Sequence, residues 1–235
     1  MSSTRETFNV ALGASAAQRN KAHVARVVDA FAARSRAGRA RTFELLEIGC
    51  GVGAHCAEIL ARSARAGWLK TYRPTDVCDH DGASFAAVRA ATDGDARCAA
   101  PETLDARAMA TTLDADSLDG VLMVNVAHIS SREATLGMFA GSAKALRKGG
   151  LVFVYGPFKV GGEFRSEGDA RFDASLRAKD AENFGLVDLE WMDAQARSVG
   201  LTPASVEGDG DDAAAGGLAS PVEMPANNLT LVYVK

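Results

Sequence analysis

Leu45-Leu46-Glu47-Ile48-Gly49-Cys50-Gly51-Val52-Gly53-Ala54-His55 decides the fold, because an apolar run stops at three alternating glycines and an alanine-rich helical pattern follows at once. That order is strand, tight turn, helix. Glycines at 49, 51 and 53 allow positive φ and, having no Cβ, let a ligand lie against the main chain. A helix starting near Ala54 directs its free N–H groups into the same hollow, which suits a nucleotide-like cofactor. A turn kept only for packing a helix on a strand would carry the same glycines.

Two cofactors compete for this turn, since Gly49-x-Gly51-x-x-Ala54 also satisfies the dinucleotide fingerprint. Glu47, two residues before the first glycine, and Gly53 extend the pattern to Glu-x-Gly-x-Gly-x-Gly, which resembles motif I of the class I methyltransferases. S-adenosylmethionine (SAM) brings an ammonium and a sulfonium but no pyrophosphate, so an acidic residue beside the turn is tolerable and even useful. SAM is therefore the expected cofactor.

At 235 residues the chain fits one α/β domain, residues 1–235, with a full hydrophobic core. Sparse aromatics and mixed charges with a net of -4 describe an ordinary soluble protein without the basic face of a nucleic-acid binder. No apolar run approaches the roughly 20 residues of a membrane span, and Met1 to Val10 lacks a secretory core, so a cytoplasmic protein is expected. Cys50, Cys56, Cys78 and Cys98 form no CxxC pair, and His23, His55, His80 and His128 show no ligand spacing. Reduced thiols and no metal follow. The oligomeric expectation is a monomer or weak homo-oligomer.

Ser2 to Ala14 reads as a flexible start, and Ser15 opens a helix with Val24, Val27, Val28 and Phe31 on one face. At its head, Gln18-Arg19-Asn20-Lys21 is either a solvated first turn or a group reaching over the cofactor. Thr42 to Ile48 is the first strand, Ala54 to Ala66 a helix ended by Gly67, and Trp68 to Asp76 the second strand. Asp76 stands where an acid can accept both ribose hydroxyls of an adenosine; it, or the adjacent Asp79, could instead cap the helix from Gly82 to Ala91. Arg97 to Thr103 would feed Leu104-Asp105, and an acid past that strand end can meet the adenine amino group.

Asp119 to Asn125 is a buried parallel strand with Asn125 and His128 beyond its carboxyl end, where ligands collect in open α/β sheets. Arg132 to Leu146 is a helix stopped by Arg147-Lys148-Gly149-Gly150, and Leu151 to Tyr155 is the next strand. The alternation from 42 to 155 predicts a parallel sheet with helices on both faces. Gly156 to Asn183 breaks it with prolines, glycines and charges, as a substrate lid would. A helix resumes over Leu186 to Val199, and Leu201 to Val206 with Leu229 to Val234 reads as a terminal hairpin. The acidic loop between them, Asp209-Gly210-Asp211-Asp212, lacks the later ligands of a calcium loop.

With these segments in hand, the chain resembles the methyltransferase-like protein 26 family, within the class I SAM-dependent methyltransferases. The resemblance runs through Ala17-Gln18-Arg19-Asn20, Leu46 to Gly53 with His55, Arg73-Pro74-Thr75-Asp76, Leu104-Asp105 and Asn125 to Ser130. It continues in Tyr155-Gly156-Pro157-Phe158-Lys159, Phe172 to Arg177 and Met224 to Leu229. It implies a Rossmann-like seven-stranded sheet of order 3-2-1-4-5-7-6 with the inserted strand antiparallel. The cofactor candidates are then Arg19, Asn20, Glu47, Gly49, Gly51, Gly53, His55, Asp76, Asp105 and Asn125. Ser166-Glu167-Gly168-Asp169-Ala170 and Phe184-Gly185 depart from the family's pattern on the presumed substrate side.

Methyl transfer is an in-line displacement at a carbon already bound to positive sulfur, so the protein must align an acceptor and exclude water. His128 and Tyr155 are candidates for a general base where the acceptor carries a proton, although each could be a packed, hydrogen-bonded residue. Arg177 could hold a carboxylate or phosphate of the acceptor by two parallel hydrogen bonds. The expected partner is thus a small-molecule or peptide substrate, with an anionic group. An NAD(P)-dependent oxidoreductase and a non-catalytic SAM-binding protein are the competing readings.

Overall fold

In the computed structural model, residues 10–35, 42–79, 82–207 and 217–235 are described. His80 and the acidic loop at 209–212 lie outside them. Helix α1, Val10–Ser35, leads into strand β1, Phe43–Ile48, then helix α2, Ala54–Ala66, and strand β2, Leu69–Asp76. Helix α1 thus includes residues 10–14, which the sequence assigned to a flexible start. Gly67 closes α2 in the left-handed conformation with φ 65, its N–H bonded to Ser63 O. Helix α3, Ala83–Thr92, strand β3, Glu102–Thr103, the short helix α4, Met109–Thr112, and strand β4, Leu118–Val124, follow. Next come helix α5, Arg132–Ala145, strand β5, Leu146–Lys159, helix α6, Glu167–Arg177, strand β6, Val187–Asp188, and helix α7, Leu189–Ser198. Four short strands, β7 at Thr202–Pro203, β8 at Ser205–Val206, β9 at Leu218–Ala219 and β10 at Val222–Glu223, precede β11, Asn228–Val234.

The main sheet runs β10-β11-β5-β4-β1-β2-β3, with β7 also paired to β11 and β6 to the end of β5. Strands β1 to β5 are parallel neighbours, and β11 is inserted antiparallel between β5 and β7. This is the expected order 3-2-1-4-5-7-6 of an α/β Rossmann-like methyltransferase fold, with a few extra strands.

Two boundaries differ instructively. The third strand shrinks to two residues plus an isolated Tyr72–Cys98 bridge, because Arg97, braced by Asp95, is drawn to Ser63 and Leu60 of α2. Strand β5 runs from Leu146 to Lys159 instead of stopping at Tyr155. Gly156 and Pro157 stay in the ladder because β11 pairs with them through Leu229 and Asn228. The first four residues of the expected lid are therefore sheet.

The period-two alternation of the strands feeds two cores. Leu46, Ile48, Val121, Met123, Val152, Val154, Leu231 and Tyr233 face Met138 and Phe139 of α5 and Met192 of α7. Leu45, Leu122, Val124, Phe153 and Val232 face Val24, Val27, Val28 and Phe31 of α1 and Ile59 of α2. Trp68, fully buried, ties the second layer to α1 by donating from Nε1 to Asp29 Oδ1 at 2.6 Å.

Helix α5 sits close on the chain before α4: a Cβ on Gly137 would stand 2.5 Å from Ala106 O and 2.6 Å from Arg107 Cα. Alanine is the better helix former by about 1 kcal/mol, yet Gly137→Ala should destabilise by about 1–3 kcal/mol, because backbone cannot step aside as a side chain can. Urea denaturation measures this; a stabilised variant would show that the contact is soft.

Candidate functional site

The carboxyl ends of β1, β2, β4 and β5 converge beside the glycine turn. Gly49, Gly51 and Gly53 all have positive φ, at 72, 52 and 77, so the spacing was forced by the backbone. Their surroundings differ. A Cβ on Gly49 would collide with Val126, and one on Gly53 would stand 2.9 Å from Val88 Cα, whereas one on Gly51 meets nothing within 4 Å. Gly49 and Gly53 are therefore packing glycines, and Gly51 borders open space that a ligand can use.

Asp76, nearly buried at the end of β2, accepts from Gly51 N at 3.1 Å and from Val77 N at 2.7 Å. The adjacent Asp79 takes the capping role, accepting from Phe85 N at 2.6 Å. Ser84, which the sequence reading missed, donates from Oγ to Gly51 O. The Gly51 peptide is thus gripped at both ends, and its position in the helix-opening pattern after Gly82 was the available signal. Cys50 N and Gly53 N also donate within the protein, to Thr75 O and Cys50 O.

Glu47 is placed differently from the expectation of an acid beside the ligand. It lies fully buried on the α1–α2 face of the sheet, accepting from Tyr72 Oη at 2.8 Å, with Oε1 unpartnered. Burial above all pushes its pKa up to about 8; the Tyr72 bond opposes this and the charge of Asp76 adds to it. A carboxyl that stays protonated near pH 7 is no ready counter-charge for an ammonium. Next to it, His55 Nδ1 lies 3.8 Å from Glu47 Oε1 and Nε2 is 2.7 Å from Asn20 Oδ1. Burial and then the Lys21 charge push the His55 pKa down to about 4, so a neutral ring donates to Asn20. Asn20 also faces Tyr155 and tempers the rise of its pKa.

Tyr72, Glu47, His55, Asn20 and Tyr155 therefore form one buried polar chain that seats α1 on the sheet. Tyr155, expected as a base, is 3% exposed and burial raises its pKa; it belongs to this chain. Of the polar cluster on α1, Asn20 turns inward, while Arg19 is exposed and donates to Ser15 Oγ at 2.7 Å.

Asn125 caps β4 in the left-handed region, φ 58, with its N–H on Tyr155 O at 2.9 Å; asparagine tolerates that strain better than most residues. His128 lies against Gly156, stacks edge-on over Phe172 at 5.4 Å, and accepts from Gly185 N through its carbonyl. Burial pushes its pKa down to about 4, so the ring is neutral and a weak base at pH 7. Asp105 follows β3 as expected, but its carboxylate caps the next turn at Arg107 N, 2.9 Å, and pairs with the Arg107 side chain.

Arg177 is held by Asp173, Nε to Oδ2 at 2.8 Å. Arg165 binds both carboxylate oxygens of Glu223 through Nη2, at 2.8 and 2.7 Å, and Asn227 O through Nη1 at 2.9 Å. It fastens the segment before α6 to the turn before β11. Arg171 is solvated, with Glu167 3.6 Å away. Among the described residues no group of three His, Cys, Asp or Glu could hold a metal ion, and no helix is long and apolar enough to cross a membrane.

A glycine turn, an acid at the end of β2 and an antiparallel strand inserted beside β5 define the class I methyltransferase fold. Solved structures agree on this. An O-methyltransferase family protein from Burkholderia thailandensis superposes at TM-score 0.60 and 15% identity, over 96% of this chain and 61% of that one. TnmH matches at 0.62 and 21%, over 98% and 59%, and a structure of PigF with SAH at 0.58 and 14%, over 82% and 50%. The chain spans between half and about three-fifths of the length of these proteins. Residues 12–235 match the model of the family described as "Protein of unknown function (DUF938)", and the chain belongs to that family.

Proposed function

We propose that the protein is a SAM-dependent methyltransferase, in keeping with its resemblance to the methyltransferase-like protein 26 family, and that it acts on a small molecule or a peptide group whose anionic moiety Arg177 would hold. The observation that carries this reading is the open face of Gly51 beside the carboxylate of Asp76. That pairing fits an adenosine whose ribose hydroxyls donate to Asp76 while the cofactor lies along glycine backbone. Gly49 and Gly53 shape the turn, and Asn125 and Asp105 border the same rim. Asn20, Glu47 and His55 support the floor from beneath, and Arg19, whose charge reaches Tyr155, stands at its edge on α1.

Bound SAM would supply an electrophilic methyl group on a positive sulfur. The chain's own part is positioning, which can lower a barrier by about 7–11 kcal/mol at its upper limit. His128 is neutral and able to accept a hydrogen bond from an acceptor's proton, but its weak basicity makes it an orienting group more than a strong base. Residues 160–183 form the lid, with Arg165 as its fastening. Cytoplasmic placement, a monomer or weak homo-oligomer, and the absence of nucleic-acid or membrane partners complete the reading, in line with the net charge of -4.

The dinucleotide reading is disfavoured by one feature. A pyrophosphate needs free N–H groups at the turn, and those of Cys50, Gly51 and Gly53 are already spent on Thr75, Asp76 and Cys50. Asp76→Ala is expected to weaken S-adenosylhomocysteine binding about 10- to 150-fold, the loss of a hydrogen bond to a charged group. Calorimetry on the folded variant checks it, with NADH titrated in parallel. Tight NADH binding with no response to the nucleoside would reverse the assignment. Turnover of labelled SAM separates catalysis from binding alone.

A further inference from the structure

Near the loop that carries His128, two arginines from different helices share the charge of one carboxylate, Asp173. Arg177 ends α6 and uses its Nε on Asp173, whose other oxygen accepts from Leu186 N at 2.7 Å. Asp173 is buried, so the carboxylate is a fixed brace. The guanidinium lies flat on Gly185: a Cβ there would stand 2.6, 2.7 and 3.0 Å from Nη2, Cζ and Nε. Any side chain at 185 would displace it, which gives Phe184-Gly185 a reason to keep its glycine. Gly185 in turn donates its N–H to His128 O at 3.0 Å, so the arginine's seat is joined to the loop at the end of β4.

Arg132 opens α5 and lies over the indole of Trp191 from α7, 4.9 Å from the ring centroid. That contact orients the guanidinium without neutralising it. Among the described residues no hydrogen-bond acceptor is found for Arg132 or for the Nη groups of Arg177. The two charges feel each other: partial burial and then Arg177 hold the Arg132 proton affinity below its usual value, with Asp173 opposing. One carboxylate faces two guanidiniums. Both are planar forks suited to an oxyanion, each on a rigid brace, at the rim where Phe172 leans on His128.

We infer that Arg132 and Arg177 together form the acceptor-recognition site, binding a carboxylate or phosphate of the substrate and so setting its methyl-accepting atom beside His128. The inference rests on the methyltransferase reading for its role, but not for its chemistry. It adds Arg132, Gly185 and Trp191 to a site in which the sequence pointed to Arg177 alone.

The test is a nuclear magnetic resonance titration of the arginine Nε–Hε signals with sodium acetate and, separately, inorganic phosphate, at ionic strength held constant with chloride. The signals of Arg132 and Arg177 should shift together and saturate in the millimolar range with at least one of the two anions. Saturation by acetate alone marks a carboxylate-bearing acceptor, by phosphate alone a phosphorylated one. Arg177→Lys, which keeps the charge but loses the fork, and Arg132→Gln should each weaken binding about tenfold or more. Signals that stay still, move linearly with salt, or saturate equally in the two variants would overturn the site. Calorimetry with S-adenosylhomocysteine separates the two ideas. If the nucleoside fails to bind, the methyltransferase role falls while the anion titration still judges the arginines.

Discussion

Gly51→Val is expected to abolish cofactor binding, weakening S-adenosylhomocysteine about 1,000-fold, equivalent to about 4 kcal/mol, while the sheet stays folded. The φ of Gly51 is 52 and its open side meets no protein atom within 4 Å. A valine there has conformational strain of about 1–2 kcal/mol and no clash with its own protein. Its isopropyl group instead occupies the hollow, against a gripped peptide that cannot retreat from Asp76 and Ser84. Gly67 provides the matched control. It also has a left-handed φ, 65, and open space, but it ends α2 away from the turn. Gly67→Val should lose comparable stability and bind the nucleoside normally. Equal binding by both variants in calorimetry, with circular dichroism confirming the fold, would move the cofactor elsewhere.

Glu47→Gln should stabilise the protein at pH 8 by about 4 kcal/mol and leave it little changed at pH 5. In the native state Glu47 has a pKa of about 8 against an ordinary 4.5. Between those values the folded chain holds a proton that the unfolded chain has released, so stability falls as pH rises, by about 1.4 kcal/mol per unit. His55 and His128 act oppositely. Their pKa values sit near 4 against an ordinary 6.5, so below 6.5 the unfolded chain gains protons the native state refuses, and stability falls as pH drops. These three groups together give a maximum near pH 6.5. Glutamine keeps an acceptor for Tyr72 and removes the alkaline arm. Urea denaturation at pH 6, 7 and 8 reads the slopes; parallel slopes in the two proteins would show that Glu47 is ionised in the native state.

The parallel sheet was legible because its determinants are local: apolar runs, glycine stops and helix periods repeat from residue 42 onward. The limits of β5 were not, since Gly156-Pro157 reads as a break unless the pairing of Asn228 and Leu229 is known. Among candidate site residues, the turn geometry of the glycines and the placement of Asp76 beside it were legible because a motif forces their backbone. Glu47 was misread for a physical reason: strand alternation places residues 43, 45 and 47 on one face, and only the docking of α1 and α2 decides whether that face is wet. Arg165 and Arg132 depended on partners far along the chain, Glu223 and Trp191, which no local pattern announces.

The inserted strand also dictates an order of assembly. Strand β11 follows every other described element in sequence, yet it stands between β5 and β7 in the sheet. As the chain is synthesised, β1 to β5 can pair among themselves while the outer edge of β5, with Val152, Phe153 and Val154, stays unmatched. An apolar strand edge left open is the surface on which nascent chains aggregate. Helix α1 emerges first, but Phe31 waits for Phe153, its edge-to-face partner at 6.3 Å. The early and late ends of the described chain thus mature together on one strand. Chains arrested before β11 should be the ones that chaperones retain.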